Sequence, residues 1–192
     1  MTATVYNLDM KQKFNKQATV DAGPDSSQKL FTLPNIDGLT PTYFLRLTVD
    51  DSGRKRLSTN TYWLSTKPEK LDWEKSTWYY TPTAQFADYT GLKQLPTVKL
   101  NVSSHNGQES GNEVTHVTLS NPSKSLAFFV RLKLAKGKGG QEVLPVIYQD
   151  NYFSLLPGEK RDVSISYRSS DLGGAKPVVE VSGWNVAPAA AE

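Results

Sequence analysis

The residues of this chain that could do chemistry are two histidines, a few neighbouring carboxylates and a set of clustered aromatic side chains. His105 and His116 are the only histidines, and there is no cysteine. A Ser-His-Asp arrangement can be drawn with either histidine, but no nucleophile-elbow glycine pattern supports one. A zinc site would need a third or fourth ligand, which would have to be a carboxylate from a distant position. The sequence therefore predicts no catalytic residue, no metal site and no cofactor.

Carboxylate pairs would suit glycoside hydrolysis, in which two acids flank the scissile bond. Asp72 and Glu74 flank Trp73, and Asp150 lies in a loop. Each of these acids is more typical of a turn or loop anchor than of an acid-base pair. The glycine-rich stretch at 136–140 falls between two predicted strands rather than before a helix, so it is interpreted as a turn and not as a phosphate cradle.

The aromatic side chains are the candidate contact residues, above all Trp73, Trp78 and Tyr152. Exposed aromatic faces could stack on sugar rings. The alternative, which we favour, is that the aromatic residues fill the cores of the domains and the boundary between them, where large rings contribute most burial. Trp73 and Trp78 lie in an irregular segment, which is the better place for either a ligand or a neighbouring domain.

The sequence predicts that short strands, separated by turn signals every ~8–12 residues, position these candidate residues. It contains no long stretch with the hydrophobic period of a helix. The best strand of the first half begins at Thr42, and its alternation predicts a hairpin over 42–64. The pattern also predicts a short strand at 29–33, a polar loop at 103–112 and a frayed tail at 187–192. We therefore predict an all-β fold.

The net charge and the apolar runs of this chain limit the classes of partner that it is expected to bind. The net charge of +3 is too weak for a dedicated nucleic-acid surface, which normally shows a clustered basic face. No apolar run approaches the ~18 residues of a membrane span. Hydrophobic residues make up 38% of the chain, which is enough to build ordinary domain cores.

The number of strands favours two tandem immunoglobulin-like β-sandwiches over one larger sandwich. We predict domains over residues 1–95 and 96–192, because a fresh strand begins after Pro96, where the irregular segment ends. The chain starts on a strand at Thr2 with almost no lead-in. The first sandwich is therefore expected to lack its leading strands, and an incomplete sheet of this kind is expected to pair with itself.

The amino-acid sequences of several stretches resemble those of a known family. These stretches are YFLRLTVDDSG (43–53), VTLSNPSKSLAFFVRLKL (117–134), VLPVIYQDNYFSLLPGEKRDVSISY (143–167) and VSGWNV (181–186). Together they resemble the C-terminal region of glycoside hydrolase family 2 enzymes, in the exo-β-glucosaminidase and β-mannosidase branch. The resemblance extends over nearly the whole chain.

The resemblance implies that this chain is a non-catalytic accessory region rather than an enzyme. In that family a TIM barrel carries two catalytic glutamates, and two immunoglobulin-like sandwiches follow it. No catalytic residue can be carried onto this chain. The implied partners are the catalytic barrel and the N-terminal domains of the same parent chain, with carbohydrate as the alternative partner. The parent is expected to act on β-glucosaminides or β-mannosides, in the periplasm or outside a bacterium.

Overall fold

The computed structural model describes residues 1–191, which divide into two compact units, one over residues 1–94 and one from Leu95 onward. Both units are built from antiparallel strands, short 3₁₀ helices and loops. The predicted all-β class is confirmed.

The first unit contains six strands and two 3₁₀ helices. The strands are β1 Thr2–Asn7, β2 Gln12–Gln17, β3 Thr42–Asp50, β4 Arg56–Ser65, β5 Lys70–Leu71 and β6 Thr83–Gln85. The 3₁₀ helices are Trp73–Lys75 and Thr90–Gln94. The first four strands form one sheet in the order β2-β1-β3-β4, and β5 pairs with β6. The predicted hairpin over 42–64 is the β3–β4 pair.

Alternation of side chains gives the four-stranded sheet two different faces. On one face Ala3, Val5 and Leu45 are buried, and half-buried apolar side chains surround them. On the other face Arg46 is also buried, and its guanidinium donates to the Thr61 hydroxyl at 2.7 Å. A buried cation needs such partners, because an unbonded charge is costly to desolvate.

The second unit contains the remaining eight strands and one 3₁₀ helix, Ser169–Leu172. The strands are β7 Asn101–Glu109, β8 Asn112–Ser120, β9 Ala127–Lys136, β10 Ile147–Tyr148, β11 Phe153–Leu155, β12 Lys160–Tyr167, β13 Pro177–Ser182 and β14 Ala189–Ala191. They form two four-stranded sheets, in the orders β10-β12-β8-β7 and β11-β9-β13-β14.

The inward-facing side chains of these two sheets share one apolar core, as expected of a β-sandwich. Leu132 and Leu134 of β9 and Val117 of β8 are fully buried in it. The Asn185 side chain connects three backbone segments at one end of the sandwich by hydrogen bonds. Its Oδ1 accepts from the Phe128 amide at 2.8 Å. Its Nδ2 donates to the carbonyls of Pro96 and Leu126 at 2.7 and 2.8 Å.

Three predicted segments differ from the structure. The predicted loop at 103–112 is wrong, because β7 extends to Glu109 and pairs with β8 along its whole length. The predicted strand at 29–33 is wrong, because it has no ladder partner in the described residues. The predicted frayed tail is wrong for Ala189–Ala191, which pairs with Val179–Val181 as β14; Glu192 lies outside the described residues.

Candidate functional site

The two histidines lie opposite each other on neighbouring strands of the second unit. His105 of β7 pairs with His116 of β8, and their rings stack with centroids 4.8 Å apart. His116 Nε2 lies 3.2 Å from Glu109 Oε1, and its Nδ1 lies 3.2 Å from Ser164 Oγ. The sheet thus brings a serine, a histidine and a carboxylate into one hydrogen-bonded row, which the sequence did not predict because residues 103–112 were expected to form a loop.

This row has the residue types of a hydrolytic triad but lacks the environment in which such a triad works. The Glu109 side chain is 62% exposed, so solvent screens its charge. Nucleophilic catalysis also needs donors aimed at the developing oxyanion. The Ser164 amide is already committed, because it donates to Gln149 Oε1 at 3.1 Å. The arrangement therefore behaves as a polar row on a sheet face.

Two of the candidate carboxylates of a glycosidase pair, Asp72 and Asp150, are engaged in local contacts. Asp72 Oδ1 accepts from the Lys75 amide at 3.3 Å, and its Oδ2 lies 2.8 Å from Lys75 Nζ. Asp150 Oδ2 accepts from Arg161 Nη1 at 2.6 Å. Both acids thus serve as the loop anchors that the sequence indicates. Within residues 1–191, no three histidine or acidic side chains lie close enough together to hold a metal ion.

The five most exposed aromatic side chains of the first unit lie between β5 and Thr90 in the sequence, and we call them the aromatic surface: Trp73, Trp78, Tyr79, Tyr80 and Phe86. Trp78 is 94% exposed and Trp73 is 71% exposed. The prediction that the aromatic residues fill the domain cores is therefore wrong for Trp73 and Trp78. Tryptophan and tyrosine are enriched at protein interfaces, so these exposed rings are candidate contact residues.

Local hydrogen bonds hold the backbone beneath the aromatic surface. Asp72 caps the short 3₁₀ helix that begins at Trp73, and its amide donates to the Pro82 carbonyl at 2.8 Å. The Thr77 amide donates to the Tyr80 carbonyl at 2.8 Å, while the Tyr80 amide donates to the Thr77 hydroxyl at 3.2 Å. This closed turn places Trp78 at its tip. The rings are therefore presented by an ordered loop.

The far end of the same segment is fastened to the sheet. The buried Thr42 hydroxyl donates to the Asp88 carbonyl at 2.8 Å, and the Asp88 amide donates to the Ser65 hydroxyl at 3.1 Å. Hydrogen bonds from the Thr90 hydroxyl and then the Thr90 amide lower the pKa of the Asp88 carboxyl. The loop that carries the aromatic surface is thus fixed at both ends.

The geometry of the rings limits what they can bind. Trp78 and Tyr79 have centroids 4.9 Å apart, but their planes meet at 69° in an edge-to-face arrangement. A flat sugar ring would stack well on one of these faces and not on both. An edge-to-face pair is common where aromatic side chains pack in three dimensions, as in a protein interface.

Tyr152 belongs to the second unit. It is 51% exposed, and its ring centroid lies 5.3 Å from that of Phe129. Both residues have positive φ, +55° and +57°, which is strained for bulky side chains. Asn151 holds this conformation, because its side chain bonds both the amide and the carbonyl of Leu132 at 2.8 and 2.9 Å.

A charged groove of about 610 Å³ lies on the second unit, lined by Arg131, Lys133, Lys138 and Glu180 among others. Lys133 Nζ lies 3.0 Å from Glu180 Oε2, and the Gly139 amide donates to Oε1 at 2.7 Å. These contacts, that of Lys133 first, lower the pKa of the Glu180 carboxyl. Within this groove, the charges of Lys133 and Glu180 thus balance each other.

The chain is similar in sequence to known proteins. Residues 78–186 match the model of the exo-β-D-glucosaminidase Ig-fold domain. The chain is 41% identical to an exo-β-D-glucosaminidase of Streptomyces avermitilis over 96% of its own length and 21% of the relative's. It is 29% identical to a mannosylglycoprotein endo-β-mannosidase of Lilium longiflorum over 82% of its length and 15% of that relative's.

A crystal structure of an exo-chitosanase from Amycolatopsis orientalis superposes with a TM-score of 0.93 and 39% identity, over 98% of this chain and 23% of the longer one. The chain therefore spans about a fifth of the length of the curated exo-β-D-glucosaminidases that it matches. None of the helices within residues 1–191 has the length and apolar character of a membrane span.

Proposed function

Because this chain belongs to the family of exo-β-D-glucosaminidase Ig-fold domains, we propose that it is the non-catalytic accessory region of a glycoside hydrolase family 2 exo-β-glycosidase. In this role it supports the catalytic barrel, which belongs to the remaining part of a longer parent chain. The relatives are about five times longer than this chain, which leaves room for a separate catalytic domain.

The aromatic surface is the observation that carries this proposal. Tryptophan and tyrosine are enriched among the residues that dominate protein interfaces. Trp78 alone would remove on the order of 200 Å² from water, which corresponds to about 5 kcal/mol of hydrophobic stabilisation before association costs. A loop fixed at both ends also loses little freedom on docking. The aromatic surface therefore docks against the catalytic part of the parent.

Carbohydrate is the second candidate partner, and the nearly complete exposure of Trp78 favours it. One face of this ring is free to stack on a sugar. The edge-to-face arrangement of Trp78 and Tyr79 supports docking against protein more strongly than a flat sugar platform. Trp73 and Tyr152 are the other candidate contacts for a glycan.

Location of the parent in the periplasm or outside a bacterium remains part of this proposal and depends on the family resemblance alone. Fractionation of the native host, followed by detection of the parent with an antibody against this chain, tests it. Recovery of the parent in the cytoplasmic fraction would contradict it.

Binding to the rest of a related enzyme tests the docking proposal. The Streptomyces avermitilis relative is prepared without the region that matches this chain, and the two proteins are mixed and measured by calorimetry. We expect saturable binding that Trp78→Ala weakens at least 30-fold, which is about 2 kcal/mol. Leu57→Ala is the matched control, because Leu57 is an exposed apolar residue of β4 outside the aromatic surface.

Two results would contradict docking through this surface. One is binding that Trp78→Ala leaves unchanged. The other is saturable quenching of tryptophan fluorescence by chitosan oligosaccharides, lost in Trp78→Ala, together with no binding to the truncated relative. The second result would establish carbohydrate as the partner.

A further inference from the structure

The two histidines of this chain form a directly opposed pair on one hairpin of the second unit. His105 of β7 lies opposite His116 of β8 in the ladder, and the two rings stack with centroids 4.8 Å apart and planes at 22°. Opposed side chains of an antiparallel ladder have Cβ atoms roughly 4.5–5.5 Å apart. The backbone therefore holds two imidazoles close enough together to contact one small ion.

The turn between the two strands fixes this pairing. Ser110 and Gly111 form the turn with φ of +50° and +82°, and β7 pairs with β8 along its whole length. Two successive residues with positive φ are typical of the two-residue hairpin turn whose twist matches that of the strands. A slip of one residue would turn the two imidazoles to opposite faces of the sheet. The hairpin turn thus determines that the histidines meet.

The His116 ring has a polar partner at each nitrogen. Its Nδ1 lies 3.2 Å from Ser164 Oγ, which can accept a hydrogen bond from the Nδ1–H group. In that tautomer the lone pair is on Nε2, which lies 3.2 Å from Glu109 Oε1. A lone pair and a carboxylate oxygen repel each other unless a proton or a metal cation lies between them. Histidines that bind a metal normally have such an outer hydrogen-bond partner on the other nitrogen.

The residue types limit which ion could bind here. Imidazole nitrogen suits borderline divalent ions such as Zn²⁺, Ni²⁺ and Cu²⁺, whereas Mg²⁺ prefers oxygen ligands. The chain has no cysteine and no third histidine, so these two rings are the side chains that a borderline ion would prefer. The His116 side chain is 32% exposed and that of Glu109 is 62% exposed, so an ion can reach them from solvent.

We infer that His105 and His116 bind one divalent transition-metal ion across the β7–β8 hairpin, each through one ring nitrogen, with water in the remaining coordination positions. The carboxylate of Glu109 beside His116 adds negative charge that favours a cation at this place. Within residues 1–191 no group of three candidate ligands is present, so binding is weaker than at a structural zinc site with four protein ligands.

The bound ion cross-links an edge strand to its neighbour. From Ser103 to Glu109, β7 is polar on both faces and is held by its ladder with β8. A ligand that binds only the folded hairpin stabilises it by mass action. The inference concerns the second unit alone and does not depend on the accessory role.

Titration of the whole 192-residue chain with Zn²⁺ tests the inference, by calorimetry and by nitrogen NMR of the histidine side chains. Because the chain has two histidines, each imidazole can be followed separately. We expect one Zn²⁺ per chain and a shifted nitrogen signal in both rings. With Zn²⁺ at about ten times its dissociation constant, amides of β7 that exchange only when the ion leaves should exchange about tenfold more slowly. Mg²⁺ is the control ion and should shift neither ring.

Three variants separate a two-histidine site from a general attraction of cations. His105→Asn and His116→Asn each remove one imidazole, and we expect each to weaken Zn²⁺ binding at least tenfold. Asp162→Asn is the matched control, because this acid lies on the same face of the sheet but contacts Thr118. Its loss should change the affinity by less than about threefold, since solvent screens the charge.

Several results would overturn the inference. One is Zn²⁺ binding that either histidine variant leaves unchanged, and another is a shift confined to one imidazole. Equal shifts with Mg²⁺ would exclude imidazole ligation as the cause, and a Zn²⁺-dependent dimer in light scattering would place the ion between two copies of the chain. If a histidine variant does not fold, the shift of both rings in the unaltered chain remains the criterion.

Discussion

Replacing Asn185 by alanine should destabilise the second unit strongly and leave the first unit unchanged. The change removes the three hydrogen bonds of 2.7 to 2.8 Å that the Asn185 side chain makes with the Phe128 amide and with the carbonyls of Pro96 and Leu126. At about 1 kcal/mol per bond, the expected loss is about 3 kcal/mol, with more if the groups stay dry. In a unit of about 100 residues this lowers the melting temperature by roughly 12–24 °C.

Hydrogen exchange along a urea gradient measures this effect for each unit separately. Peptides from β9 and β12 report on the second unit, and peptides from β3 report on the first. Asn101→Ala is the matched control, since this exposed asparagine makes one side-chain bond of 3.4 Å, to the Ser120 hydroxyl. A loss below about 1 kcal/mol for Asn185→Ala, or an equal loss in both units, would refute the reasoning.

Three further changes have defined outcomes. Glu180→Gln should make the protein less sensitive to acid. The lowered pKa of the Glu180 carboxyl stabilises the folded state at pH values above the ordinary glutamate pKa of 4.5, and this stabilisation is lost as the pH falls through the pKa of Glu180 in the folded state. Urea unfolding at pH 7 and pH 3 measures it, with a change below about 1 kcal/mol for this surface pair. Gly140→Ala should cost roughly 1–3 kcal/mol in the same assay, because its Cβ would clash with the Lys136 carbonyl oxygen, whereas Gly107→Ala meets no atom within 4 Å. Trp78→Ala should alter thermal stability by less than about 0.5 kcal/mol, because the ring is exposed.

Alternating strands with one buried face could be predicted from the sequence, since their pattern reflects the core directly. The β3–β4 hairpin and β9 are examples, and the family resemblance agrees with the comparisons. Most of the edge strand β7 could not be predicted this way. From Ser103 to Glu109 its residues are polar on both faces, and this part is held by its ladder with β8 rather than by burial.

Two other differences have the opposite cause. Residues 29–33 have strand alternation, yet within residues 1–191 no strand pairs with them. Ala189–Ala191 has little intrinsic preference for a strand, but β13 offers a free edge, and the Ala187 amide donates to the Val98 carbonyl at 2.8 Å. In both cases the tertiary neighbours determine whether the segment forms a strand, and a local sequence pattern carries no information about those neighbours.

The candidate site was the least predictable part. The sequence indicated that Trp73 and Trp78 lie in an irregular segment, and the structure shows them exposed on a loop that hydrogen bonds hold in place. Their exposure could not be derived from composition, because aromatic residues usually contribute to cores. The contact of His116 with Glu109 and Ser164 depended on the register of β7 and was equally hidden.

The most direct test of the accessory role is a steady-state assay of β-D-glucosaminide hydrolysis. Three samples are compared: this chain alone, the Streptomyces avermitilis relative without the matching region, and their mixture. We expect no turnover by the chain alone, weak or short-lived activity of the truncated relative, and recovery in the mixture that Trp78→Ala reduces. Turnover by the chain alone, or full and lasting activity of the truncated relative without it, would contradict the accessory role.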